Sequence, residues 1–142
     1  MSRLNAGVGA GVGAGVGAEL PAWELPVTPT LVVSTALATR DFQDVHHDRD
    51  QAVEHGSKDI FLNILATTGL VQRYVGEWAR ETLGGSFVIH SCGLRLGAPA
   101  YPNDTLRFSG IVTAVEDGRF TVHVVGAVPL GEHVNSSVVL SS

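Results

Sequence analysis

Apolar residues recur at helical spacing between about Asp59 and Arg80. Ile60, Ile64, Val71, Val75 and Trp78 form one stripe, and Phe61 and Leu65 widen it. This pattern predicts a helix of about twenty residues, with Ser57 or Asp59 capping its start and Gly84-Gly85 closing the region. Downstream the period changes. Four runs of β-formers occupy roughly 86–98, 104–116, 119–128 and 132–140. Pro102-Asn103-Asp104, Glu116-Asp117-Gly118 and Leu130-Gly131-Glu132 separate them as turns. In the third run Phe120, Val122 and Val124 alternate with Arg119, Thr121 and His123, as an antiparallel sheet covered on one face requires. Upstream, Leu20 to Pro29 carries three prolines and reads as an extended connector. Leu31-Val32-Val33-Ser34-Thr35 reads as a short β-rich run. Asp48 is placed to cap a short helix that runs to Glu54 and stops at Gly56.

One long helix followed by an antiparallel meander that curls around it is the hot-dog arrangement, an α+β fold. The expected division is a tail over 1–18 and a single domain over 19–142. In the tail Gly stands at every odd position from Gly7 to Gly17, with only Ala or Val between. That spacing cannot supply the G-x-G-x-x-G of a dinucleotide loop and makes a poor signal-peptide core, so a flexible segment is expected. On this reading, deletion of residues 2–18 is neutral. Net charge is −5 and the nine basic residues are scattered singly, which argues against a nucleic-acid surface. No apolar run approaches the ~18 residues of a membrane span. Cys92 is the only cysteine, so neither an intrachain disulfide nor a thiolate metal cluster can form; a cytoplasmic location is expected.

The chemistry concentrates between Asp41 and Asp48. A carboxylate, Asp41, and an imidazole, His46, stand one loop turn apart and can converge on one water. His46, His47, Asp48 and His55 also invite a metal reading. Adjacent histidines project in different directions and no later motif completes a set, so no metal is expected. Arg95 and Arg107, expected on paired strands, are candidates for binding a ligand's phosphates or for a solvated strand face. Cys92 is expected to be an inert thiol and Trp78 a core residue.

Asp41, Val45, His46, Asp48 and Ala52 fall on the positions of a known signature. It resembles that of the MaoC-like (R)-specific enoyl-CoA hydratases, Asp-x-Asn-Pro-(Ile/Val)-His followed by an acidic residue and an alanine. The stretch from Leu94 to Leu106 is similar to the same family's strand-turn-strand segment. Two departures stand out. Gln43 and Asp44 replace Asn-Pro, and Phe61-Leu62-Asn63 replaces the Ala-His-Gly that usually opens the long helix. With these departures, residues 33–50, 56–61, 68–75 and 93–97 look like the small catalytic subunit of heteromeric steroid side-chain enoyl-CoA hydratases of cholesterol-type degradation.

The resemblance implies hydration of the conjugated double bond of a steroid side-chain enoyl-CoA. Asp41 and His46 would be the acid/base pair, and the backbone N–H of Asn63 the candidate oxyanion donor. No cofactor is implied beyond the CoA of the substrate. The implied partner is a second MaoC-like hot-dog chain in a hetero-oligomer, expected to be a heterotetramer, with a retro-aldolase acting on the product. Two rivals remain at this point: an acyl-CoA thioesterase on the same fold, and a non-catalytic hot-dog subunit. The thioesterase is disfavoured because no acidic residue occurs from Ile60 to Val75.

Overall fold

The computed structural model describes residues 13–142. Strand β1 (Glu19–Pro26) leads to helix α1 (Pro29–Ala38), a 3-10 turn (Asp44–His46), helix α2 (Arg49–Glu54) and the long helix α3 (Ile64–Thr82). Strands β2 (Val88–Leu96), β3 (Thr105–Glu116), β4 (Arg119–Val128) and β5 (Gly131–Ser141) follow. All five strands form one antiparallel sheet in the order β1-β3-β4-β5-β2. The sheet curls around α3, which is the expected hot-dog arrangement.

The four predicted runs are therefore strands β2 to β5, and the turns between them fall where Asn103, Asp117, Gly118 and Gly131 adopt positive φ. The connector is more than extended chain. Its residues form β1, which pairs with β3 through Leu25 opposite Leu106 and Trp23 opposite Phe108. The core lies between one stripe of α3 (Leu70, Val71, Tyr74, Val75, Trp78) and sheet residues that include Leu106, Phe108, Val122, Val124, Val138 and Leu140. Each such large side chain contributes about 1.5–3 kcal/mol when buried. Trp23, Phe108 and Tyr74 stack in series, with centroid spacings of 5.3 and 5.6 Å about Phe108. The Tyr74 hydroxyl donates to the Pro21 carbonyl at 2.7 Å, so burial leaves no orphan and pushes its pKa up.

Three expectations are corrected. First, the β-rich run at Leu31–Thr35 is helical, inside α1. Thr28 accepts the Leu31 N–H at 3.0 Å, Pro29 opens the helix, and Val32 and Ala36 bury one face. A cap worth about 1 kcal/mol and a buried face outweigh β-branched penalties of a few tenths per residue. Second, the long helix starts at Ile64 rather than Asp59. The Leu62 N–H goes to the Ala100 carbonyl (3.1 Å), and the Asn63 side chain caps the Ala66 N–H (2.9 Å). Ile60 and Phe61 thus lie before the helix, and Ile64 and Leu65 are about half exposed, at 49% and 52%. Third, the end of the glycine-rich segment is not loose. Gly17 donates to the Val112 carbonyl and Val112 donates to the Ala18 carbonyl, both at 2.8 Å, and Ala18 is buried. Residues 1–12 of that segment lie outside the described residues.

This third point changes the truncation expectation. A chain beginning at Glu19 should be less stable than one beginning at Gly13 by about 1–3 kcal/mol, since two backbone hydrogen bonds contribute about 1 kcal/mol each. Thermal melts of the two truncated chains, read side by side, check it. Equal melting temperatures would mean that the Val112 pairing contributes nothing.

Candidate active site

Helix α1 delivers Asp41. Its C-terminus closes with Arg40 in the left-handed region (φ 57), while Arg40 N–H bonds the Leu37 carbonyl at 3.0 Å and Asp41 N–H bonds the Ala36 carbonyl at 2.9 Å. This is the paired-bond helix stop that usually uses glycine. An arginine there carries a local strain of about 1 kcal/mol. The Asp41 carboxylate is then fixed on both oxygens. Oδ1 accepts the Gln43 N–H at 3.3 Å, and Oδ2 accepts the Asn63 side-chain amide at 3.0 Å.

The 3-10 turn delivers His46. Its Nδ1 lies 2.7 Å from the Phe61 carbonyl oxygen. A carbonyl only accepts, so Nδ1 carries a proton, and in the neutral tautomer Nε2 is the nitrogen left bare. That Nε2 faces Asp41 Oδ2 at 3.4 Å. The Phe61 ring meets the imidazole edge-on at 4.9 Å and in turn touches Tyr101, so the histidine is held by packing as well. The side chains of His46 and Asp41 remain 7% and 20% exposed, which leaves the pair sheltered yet reachable.

Asn63 joins the pair to α3. Its Oδ1 caps the helix at Ala66, and its Nδ2 donates to both Asp41 and the Thr39 hydroxyl (2.9 Å). The Asn63 amide holds the Asp41 carboxyl below its ordinary value. Burial opposes this, and the Gln43 N–H and His46 add to the lowering. Sequence reasoning singled out Asn63 for its backbone N–H. That group is one of the first four of α3, which the helix itself cannot satisfy. The side-chain role was missed, along with those of Thr39 and the Phe61 carbonyl. An Asn directly before an apolar helical run is a helix-cap signal and could have exposed it.

The other singled-out residues lie apart from this cluster. His47 approaches the Phe42 carbonyl and His55 the Gln51 carbonyl, and among the described residues no three metal-ligating side chains converge. Arg95 and Arg107 are not on paired strands. Strand β2 pairs with β5, while β3 lies between β1 and β4, and Arg107 bonds Glu24 at 2.9 Å. Cys92 is half-buried with its thiol 3.8 Å from the Ser136 hydroxyl.

Residues 13–134 match the family described as MaoC like domain. The chain is also 64% identical over 122 residues to the 3-oxo-4,17-pregnadiene-20-carboxyl-CoA hydratase beta subunit of Mycobacterium tuberculosis, spanning 86% of this chain and 92% of that protein. The chain belongs to the MaoC-like family. A chain in the crystal structure of the ChsH1-ChsH2 complex from M. tuberculosis superposes with a TM-score of 0.85 at 64% identity, covering 89% of this chain and 97% of that one. The unliganded R-hydratase PhaJ1 from Pseudomonas aeruginosa shares the fold, with a TM-score of 0.78 at 16% identity, covering 90% of this chain and 81% of its own.

Two further residues of the MaoC-like signature have local structural roles. Asp48 caps α2 by accepting the Gln51 N–H, and Ala52 is fully buried, so both are structural. Gln43, which stands where the signature has Asn, meets Asp41 through its backbone N–H, a contact that does not depend on the side chain.

The Asn63 contact carries its own prediction. Asn63→Ser keeps a helix-capping oxygen but removes the amide that stabilises ionised Asp41. The Asp41 carboxyl should therefore rise toward its ordinary value. Activity that needs the carboxylate is lost as pH falls through that value, so the acid limb of kcat should move to higher pH. At the optimum kcat should fall by up to about 10²-fold, the cost of a misplaced group. A pH–rate profile with an unmoved acid limb would contradict this role.

Proposed function

We propose that this chain is the catalytic hydratase subunit of a two-chain MaoC-like enzyme that adds water to the conjugated double bond of a steroid side-chain enoyl-CoA. The observation that carries this reading is the 3.4 Å approach of His46 Nε2 to Asp41 Oδ2, with the imidazole tautomer fixed by the Phe61 carbonyl. The two atoms are near enough to bind one water between them.

Conjugation to the thioester makes the β-carbon electrophilic. The water attacks there and releases a proton to the Asp41/His46 pair, and the pair returns a proton to the α-carbon. One water is added and nothing is released. Negative charge grows on the thioester oxygen. The N-terminus of α3 is the natural stabiliser, through the Asn63 backbone N–H and the helix dipole. Acid–base help of this kind is worth about 10²–10⁴-fold. MaoC-like hydratases generally work without a cofactor, and here CoA enters only as part of the substrate.

The steroid assignment rests on the 64% identity to the pregnadiene-carboxyl-CoA hydratase beta subunit. The partner assignment rests on that similarity and on β2. This edge strand pairs only with β5 among the described residues, and it exposes Val88 and Leu96 at 56% and 39%. An unpaired edge is a template for another chain's strand. We take the assembly to be a heterotetramer with a second MaoC-like chain. It would work in the cytoplasm, with the product consumed by a retro-aldolase. No helix among the described residues is long and apolar enough to cross a membrane.

A thioesterase reading fits poorly. The first acidic residue of α3 is Glu77, about 20 Å along the axis from Asn63 and bonded to Arg73 at 3.1 Å. The two chemistries separate in one cuvette. With a steroid enoyl-CoA, hydration removes the conjugated absorbance and releases no thiol. Release of free CoA at the rate of absorbance loss would refute the hydratase reading.

A further inference from the structure

A second buried histidine lies outside the reacting pair. His133, on β5, is 2% exposed, and both of its ring nitrogens are engaged. Nδ1 is 2.7 Å from the Ala98 carbonyl oxygen, so it carries the proton. Nε2 is therefore the acceptor for the Thr67 hydroxyl at 2.8 Å. Burial disfavours the charged ring and pushes the His133 pKa down, against the smaller opposing pull of the Ala98 carbonyl.

The register of the sheet shows why this side chain points where it does. Gly126 faces Val134 and Ala127 faces Glu132, so His133 is the extra residue of a β-bulge. A bulge of this kind re-aims one side chain. Satisfying a buried imidazole at both nitrogens is demanding, whereas an apolar residue would fill a core position without any partner.

The two partners of His133 lead to the two flanks of Asn63. Thr67 sits in the first turn of α3, and its N–H bonds the Asn63 carbonyl at 3.1 Å. Ala98 begins a short segment tied to β5 by Gly97 N–H to the His133 carbonyl and Ala98 N–H to the Glu132 carbonyl, both at 2.8 Å. Two residues on, the Ala100 carbonyl accepts the Leu62 N–H at 3.1 Å. Gly97 permits this approach because a Cβ there would run into the Glu132 carbonyl. Asn63 is thus held from Leu62 on one side and Thr67 on the other.

We propose that His133 is a positioning residue for hydration: from its bulge it clamps the N-terminus of α3 through Thr67 and Ala98, and so sets where Asn63 holds Asp41. The catalytic consequence rests on the hydratase reading above, while the geometric one does not.

The test uses the complex of this chain with its partner, and three variants. Thr67→Val removes the hydroxyl at nearly constant volume, Thr67→Ser restores it, and His133→Gln keeps a group for Thr67 while releasing Ala98. In Thr67→Val and His133→Gln, kcat should fall between about 10- and 100-fold with KM within about twofold, as for a small misplacement of reacting groups. Thr67→Ser should recover most of the rate. A role in stability alone would lower the melting temperature and leave kcat of the folded enzyme unchanged, and that result overturns the proposal. A second readout needs no substrate. The ¹³C titration of the Asp41 carboxyl, whose facing titratable group is His46, should move upward in Thr67→Val as the Asn63 amide shifts away. An unmoved titration in a folded Thr67→Val chain overturns the clamp even if the wild type proves to hydrate nothing. An inactive wild type with a moved titration overturns the hydratase reading and leaves the clamp supported.

Discussion

Asp41→Asn is expected to lower kcat for hydration by about 10²–10⁴-fold while leaving the fold intact, and His46→Ala by a similar factor. The carboxamide keeps an oxygen for the Asn63 amide, so the loop should hold its shape while the base is lost. His46→Ala also strands the Phe61 carbonyl, so a melting temperature a few degrees lower is expected for that variant alone. The two changes should not add. On the proposed mechanism the groups share one water, so removing either leaves the other without its task. Turnover of each variant and of the double variant, at matched folded fraction, checks this. Near-normal kcat in either single variant contradicts the assignment.

The second large effect concerns the partner. The chain expressed alone should turn over a steroid enoyl-CoA more slowly by on the order of 10²-fold or more, as expected if the partner helps to position the substrate. Co-expression with the second MaoC-like chain should restore the rate. Light scattering fixes the mass of each species during the assay. A stable homodimer that reaches the full rate without a partner contradicts the heteromeric reading.

The legible parts of the sequence were those governed by local rules. Strands β2 to β5 read correctly because their turns carry Asn103, Asp117-Gly118 and Gly131, residues suited to positive φ. Helix α2 read correctly because Asp48 is its cap. The pairing of Asp41 with His46 followed from spacing together with the family resemblance. What was illegible depended on distant partners. Leu31–Thr35 looks like a strand locally, yet Thr28 and a buried face make it a helix. The start of α3 was misplaced by five residues because Leu62 spends its N–H on Ala100, far along the chain. Asn63 as the holder of Asp41, and His133 as the bulge residue behind it, depend on sheet register and tertiary hydrogen bonds that no local pattern encodes.

On the proposed mechanism Asp41 and His46 of this chain, rather than any group of the partner, add the water. Mass spectrometry of the acyl-CoA product in ¹⁸O-labelled water tests it most directly. The co-purified complex should yield a product heavier by one labelled water, with CoA still attached. The same complex carrying Asp41→Asn and His46→Ala together should yield unchanged enoyl-CoA. Formation of the labelled product by the doubly substituted complex at the wild-type rate would place the chemistry elsewhere and contradict the account.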